Sequence, residues 1–105
     1  QTRMMAEITG TAGHAGTVPM NLRRDALAAA AECVVAVERI CSGAAGLVGT
    51  VGQLAVSPGA TNVIAGGVRF SLDVRSPDDP ERRRVVAAVR KDMADIAVYF
   101  SSVSE

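Results

Sequence analysis

An α+β sandwich, with a four-stranded antiparallel sheet and two helices on one of its faces, is the fold this sequence predicts. Three observations predict it. Val68, Phe70, Leu72 and Val74 alternate with Arg69, Ser71, Asp73 and Arg75, the period-two signature of a strand with one buried face. From Leu22 to Ser42 the apolar period changes to that of a helix, and a second helical pattern follows the strand from Pro80 to about Ile96. With extended segments placed before, between and after these helices, the order is β-α-β-β-α-β. That is the split βαβ of a ferredoxin-like sandwich.

Each element has its own warrant. Residues 3–10 are mixed but lean extended, and Gly10 and Gly13 close them off as a first strand. A loop follows, with Gly10, Gly13, Gly16 and Pro19 around the sole histidine, His14. In the first helix Leu27, Ala30, Ala31, Val34, Val37 and Cys41 form one stripe, five alanines at 26 and 28–31 favour helix, and Gly43 and Gly46 stop it. Leu47–Val56 is a Val- and Leu-rich strand interrupted by Gly49 and Gly52, and Ser57-Pro58-Gly59-Ala60 turns the chain. The second helix starts with Asp79 as cap and Pro80 at its first position, buries Val86, Val89, Met93 and Ile96, and turns Arg82, Arg83, Arg84, Arg90, Lys91 and Asp95 mostly outward. The tail can form a short last strand, Val98–Val103, or fray.

Composition excludes several functions. The 105 residues carry 11 Lys+Arg and 11 Asp+Glu, so no net charge draws the chain to nucleic acid or to an anionic membrane. The longest apolar runs fall far short of the ~20 residues of a membrane span. One histidine and two cysteines are too few, at these spacings, for a self-contained zinc site. Cys33 and Cys41 lie eight apart in a helix, ~12 Å along its axis, too far to bridge, and read as buried thiols of a cytoplasmic protein. Alanine and valine, 18 and 15 residues, dominate the apolar content, so the core is thin and a partner surface would help it. The chain opens on Gln1 and reads as a single domain, 1–105, cut from a longer protein.

Three islands offer chemistry. His14 lies among small residues in Gly13-His14-Ala15-Gly16-Thr17-Val18-Pro19-Met20, where its ring either hydrogen-bonds a nearby carbonyl or reaches a ligand. Asn62, within Pro58–Gly66, either satisfies its own turn or presents an amide. Arg75, at the end of the alternating strand, either pairs with Asp73 or Asp78 or recognises a carboxylate with its planar fork.

Taken in order, Gly-His-Ala-Gly-Thr-Val-Pro-Met, Arg23-Arg24-Asp25-Ala26, Gly49-Thr50-Val51-Gly52, Gly59-Ala60-Thr61-Asn62-Val63-Ile64 and Asp73-Val74-Arg75-Ser76 carry a family resemblance. Together they resemble the dimerisation (lid) domain of the N-carbamoyl-L-amino-acid hydrolase and allantoate amidohydrolase family, within the metallopeptidase superfamily that includes aminoacylases and carboxypeptidase G. The match runs from about residue 3 to residue 96. It implies a domain inserted in a catalytic domain that binds two divalent metals, zinc or manganese, with no ligand for either in this segment. It implies a homodimer through this domain, contact with the missing catalytic domain, and a small-molecule substrate. By motif match His14 polarises the scissile carbonyl in the partner subunit's active site, while Asn62 and Arg75 bind substrate, Arg75 at its carboxylate. Arg3 lies where some members add a polar contact. Ala65 departs from the proline many members carry, and the family's last strand is hard to find after Ile96.

The isolated segment is therefore expected to be inactive and its parent to cleave the carbamoyl or ureido C–N bond. Two alternatives compete: a free-standing ferredoxin-like ligand-binding or regulatory dimerisation module, and the lid of a related aminoacylase or peptidase.

Overall fold

Residues 1–96 and 98–104 are described by a computed structural model of the chain. The first strand, β1 (Thr2–Thr9), buries Met4, Ala6 and Ile8. Beyond it come a two-residue strand β2 (Gly13–His14) and a 3₁₀ turn at Met20–Leu22. Helix α1 (Ala26–Cys41) thus starts four residues later than predicted. Asp25 sets the start: its carboxylate accepts from the amides of Leu27 and Ala28 at 2.9 and 3.3 Å, and its own backbone is extended.

The buried face of α1 is also rotated from the predicted stripe. Ala26, Ala30, Cys33, Ala36, Val37 and Cys41 face the sheet, while Leu27 is 40% exposed and Ala31 is exposed. The larger residues did not choose the face, because the sheet comes too close. A Cβ on Gly49 would collide with the Cys41 side chain, so the contact selects small residues on both sides.

The predicted strand over Leu47–Val56 is two strands, β3 (Val48–Thr50) and β4 (Leu54–Ser57), separated by an irregular step. Ser71 fills that step, its hydroxyl accepting from the amides of Gly52 and Gln53 at 3.2 and 3.0 Å. A second two-residue strand, β5 (Val63–Ile64), precedes β6 (Gly67–Arg75), whose alternation is as predicted. In α2 (Asp79–Asp92) the cap is Asp78 rather than Asp79, and the helix ends before a 3₁₀ turn at Ala94–Ile96. Val85, Val89 and Met93 are buried, Val86 and Ile96 only half-buried. Arg82, predicted outward, is 5% exposed: it begins the stripe that Val85, Val89 and Met93 continue, so its aliphatic stem lies inside, with Nη1 3.1 Å from Asp79 Oδ1.

The tail forms a strand, β7 (Val98–Ser104), antiparallel to β1, so of the two outcomes open for it, a short last strand or a frayed end, the strand is the one present; Ala97 and Glu105 lie outside the described residues. The sheet order is β3-β6-β1-β7, with β4 also on β6, every pairing antiparallel. Counting β3 and β4 as one broken strand, this is the predicted α+β sandwich. Phe70 is the one fully buried aromatic among the largest core residues, with Met4, Leu72, Met93, Val37, Val74, Val89 and Cys33 around it. Cys33 and Cys41 are buried free thiols, and burial, reinforced by Glu32 and Asp92, pushes the Cys33 thiol up to about 11.

Candidate functional site

Sequence reasoning did not foresee the ribbon that carries two of the three candidate residues. β2 pairs antiparallel with β5, Gly13 opposite Ile64 and His14 opposite Val63, and the Ala15 amide donates to the Asn62 carbonyl at 2.9 Å. His14 and Asn62 are thereby brought together at one end of the molecule. The ribbon is moored by Gly10 N–H donating to the Gly66 carbonyl at 2.8 Å and Ala26 N–H donating to the Ala65 carbonyl at 3.1 Å. Two-residue strands carry too little periodicity to be read from sequence.

His14 is exposed, and its ring makes no hydrogen bond to a carbonyl of any described residue, the contact expected of a purely structural loop histidine. Instead Nδ1 accepts from the Gly16 amide at 2.9 Å. A Cβ on Gly16 would lie 3.1 Å from the ring's Cε1 and 3.3 Å from Nδ1, so a larger residue there would make the imidazole give by a few tenths of an ångström. With Nδ1 accepting, the proton of the neutral ring sits on Nε2, which is left as a hydrogen-bond donor.

Arg23 holds this loop, a role the sequence reading missed. Its Nη2 donates to the Ala15 carbonyl at 2.7 Å and its Nε to the Val18 carbonyl at 3.1 Å. One guanidinium thus spans the segment after His14, and Asp25, two residues on, fixes the start of α1 behind it. The signal was in the string Arg23-Arg24-Asp25, where an arginine two residues before the helix cap lies within reach of the preceding loop. Asn62 sits inside the turn closed by Val63 N–H donating to the Ala60 carbonyl at 3.3 Å. Its backbone serves the turn and the ribbon, and its exposed side-chain amide has no hydrogen bond to any described residue.

Arg75 is elsewhere. It ends β6, opposite Val48, and its Nε and Nη2 donate to Asp73 Oδ1 and Oδ2 at 3.0 and 3.2 Å. Of the two acids offered by the sequence, Asp73 is its partner, and Asp78 caps α2. Asp73 also accepts from Gln1 Nε2 at 2.9 Å and lies 3.6 Å from Arg3 Nε, directly across the β1–β6 register. The hydrogen bonds from Arg75 hold the Asp73 carboxyl below the usual carboxylate range against a smaller opposing effect of burial, with Gln1 and the Arg3 charge helping; the Arg75 guanidinium is raised in turn by the same contact. Arg3, Asp73 and Arg75 line an open groove of about 710 Å³ on the face away from the helices, with Met5, Val48 and Thr50 beside them.

The predicted trio therefore divides. The ribbon precedes the first residue of β6 and Arg75 is its last, so nine residues of extended chain, ~25 Å, separate the two ends. That span is longer than a small ligand. Among the described residues no three of His, Cys, Asp and Glu come together to hold a metal, so these residues do not fit a metal centre. Among the described residues no helix is long and apolar enough to cross a membrane.

Comparison with known proteins follows the same lines. No family profile matches the chain. It is 43% identical over 86 residues to an N-carbamoyl-L-amino-acid amidohydrolase of Pseudomonas sp. (strain NS671), covering 80% of this chain and 21% of that protein. It is 37% identical over 115 residues to allantoate deiminase 1 of Glycine max, covering 91% of this chain and 24% of that one. A solved hydantoinase/carbamoylase family amidase from Burkholderia multivorans superposes with a TM-score of 0.94 at 36% identity, over 98% of this chain and 27% of that chain. The chain spans about a quarter of the length of these relatives or less. On overall structure and sequence alike, it belongs to the hydantoinase/carbamoylase amidase family, together with the allantoate deiminases and N-carbamoyl-L-amino-acid amidohydrolases.

Proposed function

We propose that this chain is the substrate-binding and dimerisation domain of a metal-dependent amidohydrolase that cleaves the carbamoyl or ureido C–N bond of N-carbamoyl-L-amino acids or of allantoate. The observation that carries the reading is the ribbon, which brings His14 and Asn62 together through the Ala15 amide bond to the Asn62 carbonyl, with Nε2 of His14 left as a donor and the Asn62 side-chain amide unengaged. Attack on a ureido carbonyl places negative charge on its oxygen. A preorganised N–H aimed at that oxygen stabilises the charge as it develops, and losing one such donor costs ~3–4 kcal/mol of barrier. The Asn62 amide both donates and accepts, which suits a ureido group carrying both functions. Arg75 offers a charged fork for the α-carboxylate and so fixes the other end of the substrate. The two divalent metals of the reading belong to the rest of the protein, since the residues here do not fit them.

The separation of His14 from Arg75 supports a site shared between copies. If one substrate meets both residues, His14 and Asn62 come from one copy and Arg75 from another. Met20 and Leu22, 77% and 68% exposed just beyond the His14 loop, supply apolar surface at the end that would meet the partner.

Complementation in the full-length enzyme tests this. His14→Ala and Arg75→Ala subunits are each nearly inactive alone. In a mixed dimer of shared sites, one site inherits both substitutions and the other neither, so activity recovers toward half of wild type. If each site takes His14 and Arg75 from the same copy, the mixture stays inactive, and the shared-site reading fails.

A further inference from the structure

We infer that Asp73 is a positioning residue for Arg75: it occupies the side-on edge of the guanidinium, leaving the end-on edge for a substrate carboxylate. The inference deepens the proposed function and rests on Arg75 being the carboxylate ligand.

A guanidinium has two edges that fit a carboxylate in parallel, Nε with Nη2 and Nη1 with Nη2. Asp73 takes the first with both of its oxygens, at 3.0 and 3.2 Å. Nη1 and the second hydrogen of Nη2 have no partner among the described residues. The free edge is again a two-donor fork, sized for one more carboxylate. The two residues are i and i+2 on one strand, so they share a sheet face and the backbone of β6 sets their spacing.

Asp73 is better anchored than the arginine it holds. Gln1 and Arg3 engage it from β1 and the residue before it, and its side chain is 27% exposed against 58% for Arg75. A long arginine at a strand end would otherwise sample many rotamers, and its ordering would be charged against every binding event. The charge count is also suited to a single anion: two guanidiniums, Arg3 and Arg75, around one carboxylate leave +1. Without Arg3, the Asp73 charge would cancel that of Arg75 and the groove would have no preference for a carboxylate. Val48 and Thr50, opposite Arg75 and Asp73 in β3, wall the cluster on the remaining side and carry no charge.

The test measures KM and kcat of the full-length enzyme with an N-carbamoyl-L-amino acid and with the same compound bearing a neutral carboxamide in place of its carboxylate. Asp73→Asn is expected to raise KM for the carboxylate substrate roughly three- to tenfold, with the effect on KM rather than kcat, and to leave the carboxamide unaffected. Arg75→Ala, run alongside, separates two failures. If it leaves KM for the carboxylate unchanged, the carboxylate reading of Arg75 falls and the role of Asp73 with it. If it raises KM while Asp73→Asn leaves KM unchanged or lowers it, Asp73 is idle or competes with substrate, and this inference alone is overturned. A second measurement needs no activity: in the 105-residue chain, solvent exchange of the Arg75 Nε–H is slow in the wild type and accelerated in Asp73→Asn. Exchange as fast in the wild type as in the variant overturns the side-on contact itself.

Discussion

Replacing Arg23 by methionine keeps the aliphatic stem and removes the guanidinium that ties the His14 loop together. Two hydrogen bonds go, from Nη2 to the Ala15 carbonyl at 2.7 Å and from Nε to the Val18 carbonyl at 3.1 Å. Hydrogen bonds from a charged donor contribute about 1.5–3 kcal/mol each when well shielded. Arg23 is only half-buried and water can reach both carbonyls once it is gone, so the pair together is expected to contribute about 1–3 kcal/mol. The loss should fall on the loop before the whole fold, because β1, β6 and the helices do not depend on these bonds. Hydrogen exchange reads this directly. In Arg23→Met the amides of Ala15, bonded to Asn62, and Gly16, bonded to His14 Nδ1, should lose protection, while core amides of β6 keep theirs. With Gly16 released, the imidazole also loses its bias toward the Nε2-protonated form, visible in its ¹⁵N shifts. Unchanged protection at Ala15 together with an unchanged tautomer ratio would refute the argument that Arg23 organises the site.

Three further outcomes are expected. Gly49→Ala, which drives a methyl into the Cys41 side chain, should cost about 1–3 kcal/mol in urea unfolding, whereas a change under about 0.5 would mean that α1 shifts freely over the sheet. Asp73→Asn should lower stability near pH 7 by ~0.2–1 kcal/mol, since the pair is partly exposed. The sign follows from the lowered carboxyl: its contribution is present above the unfolded value of about 3.9 and is lost as pH falls through the folded one, so the gap between wild type and variant should close on acidification, and a gap that does not narrow contradicts the assignment. Cys33, fully buried and pushed up to about 11, should resist alkylation at pH 8 until denaturant is added, and rapid labelling of the native chain would show that the α1 face opens.

Much of this molecule is legible in its sequence, and the reason is periodicity. The alternation from Val68 to Val74 demanded a strand with one wet face, and the capped, Pro-started segment after Ser76 demanded a helix; both hold because backbone geometry turns local spacing into a face. His14, Asn62 and Arg75 were likewise visible as residue types in permissive settings. Local pattern ran out where a neighbour in space decides. The face of α1 was set by how closely Gly49 lets β3 approach, which no helical count contains. Arg82 went inside because α2 lies low enough for its stem to pack, against its charge. The tail became β7 because β1 offered an open edge of unpaired amides and carbonyls. The site shows the same division most sharply. Residue identity made His14, Asn62 and Arg75 candidates, but which of them meet depends on non-local pairing. Pairing of β2 with β5 brings two together, and the length of β6 sends the third to the far end of the sheet.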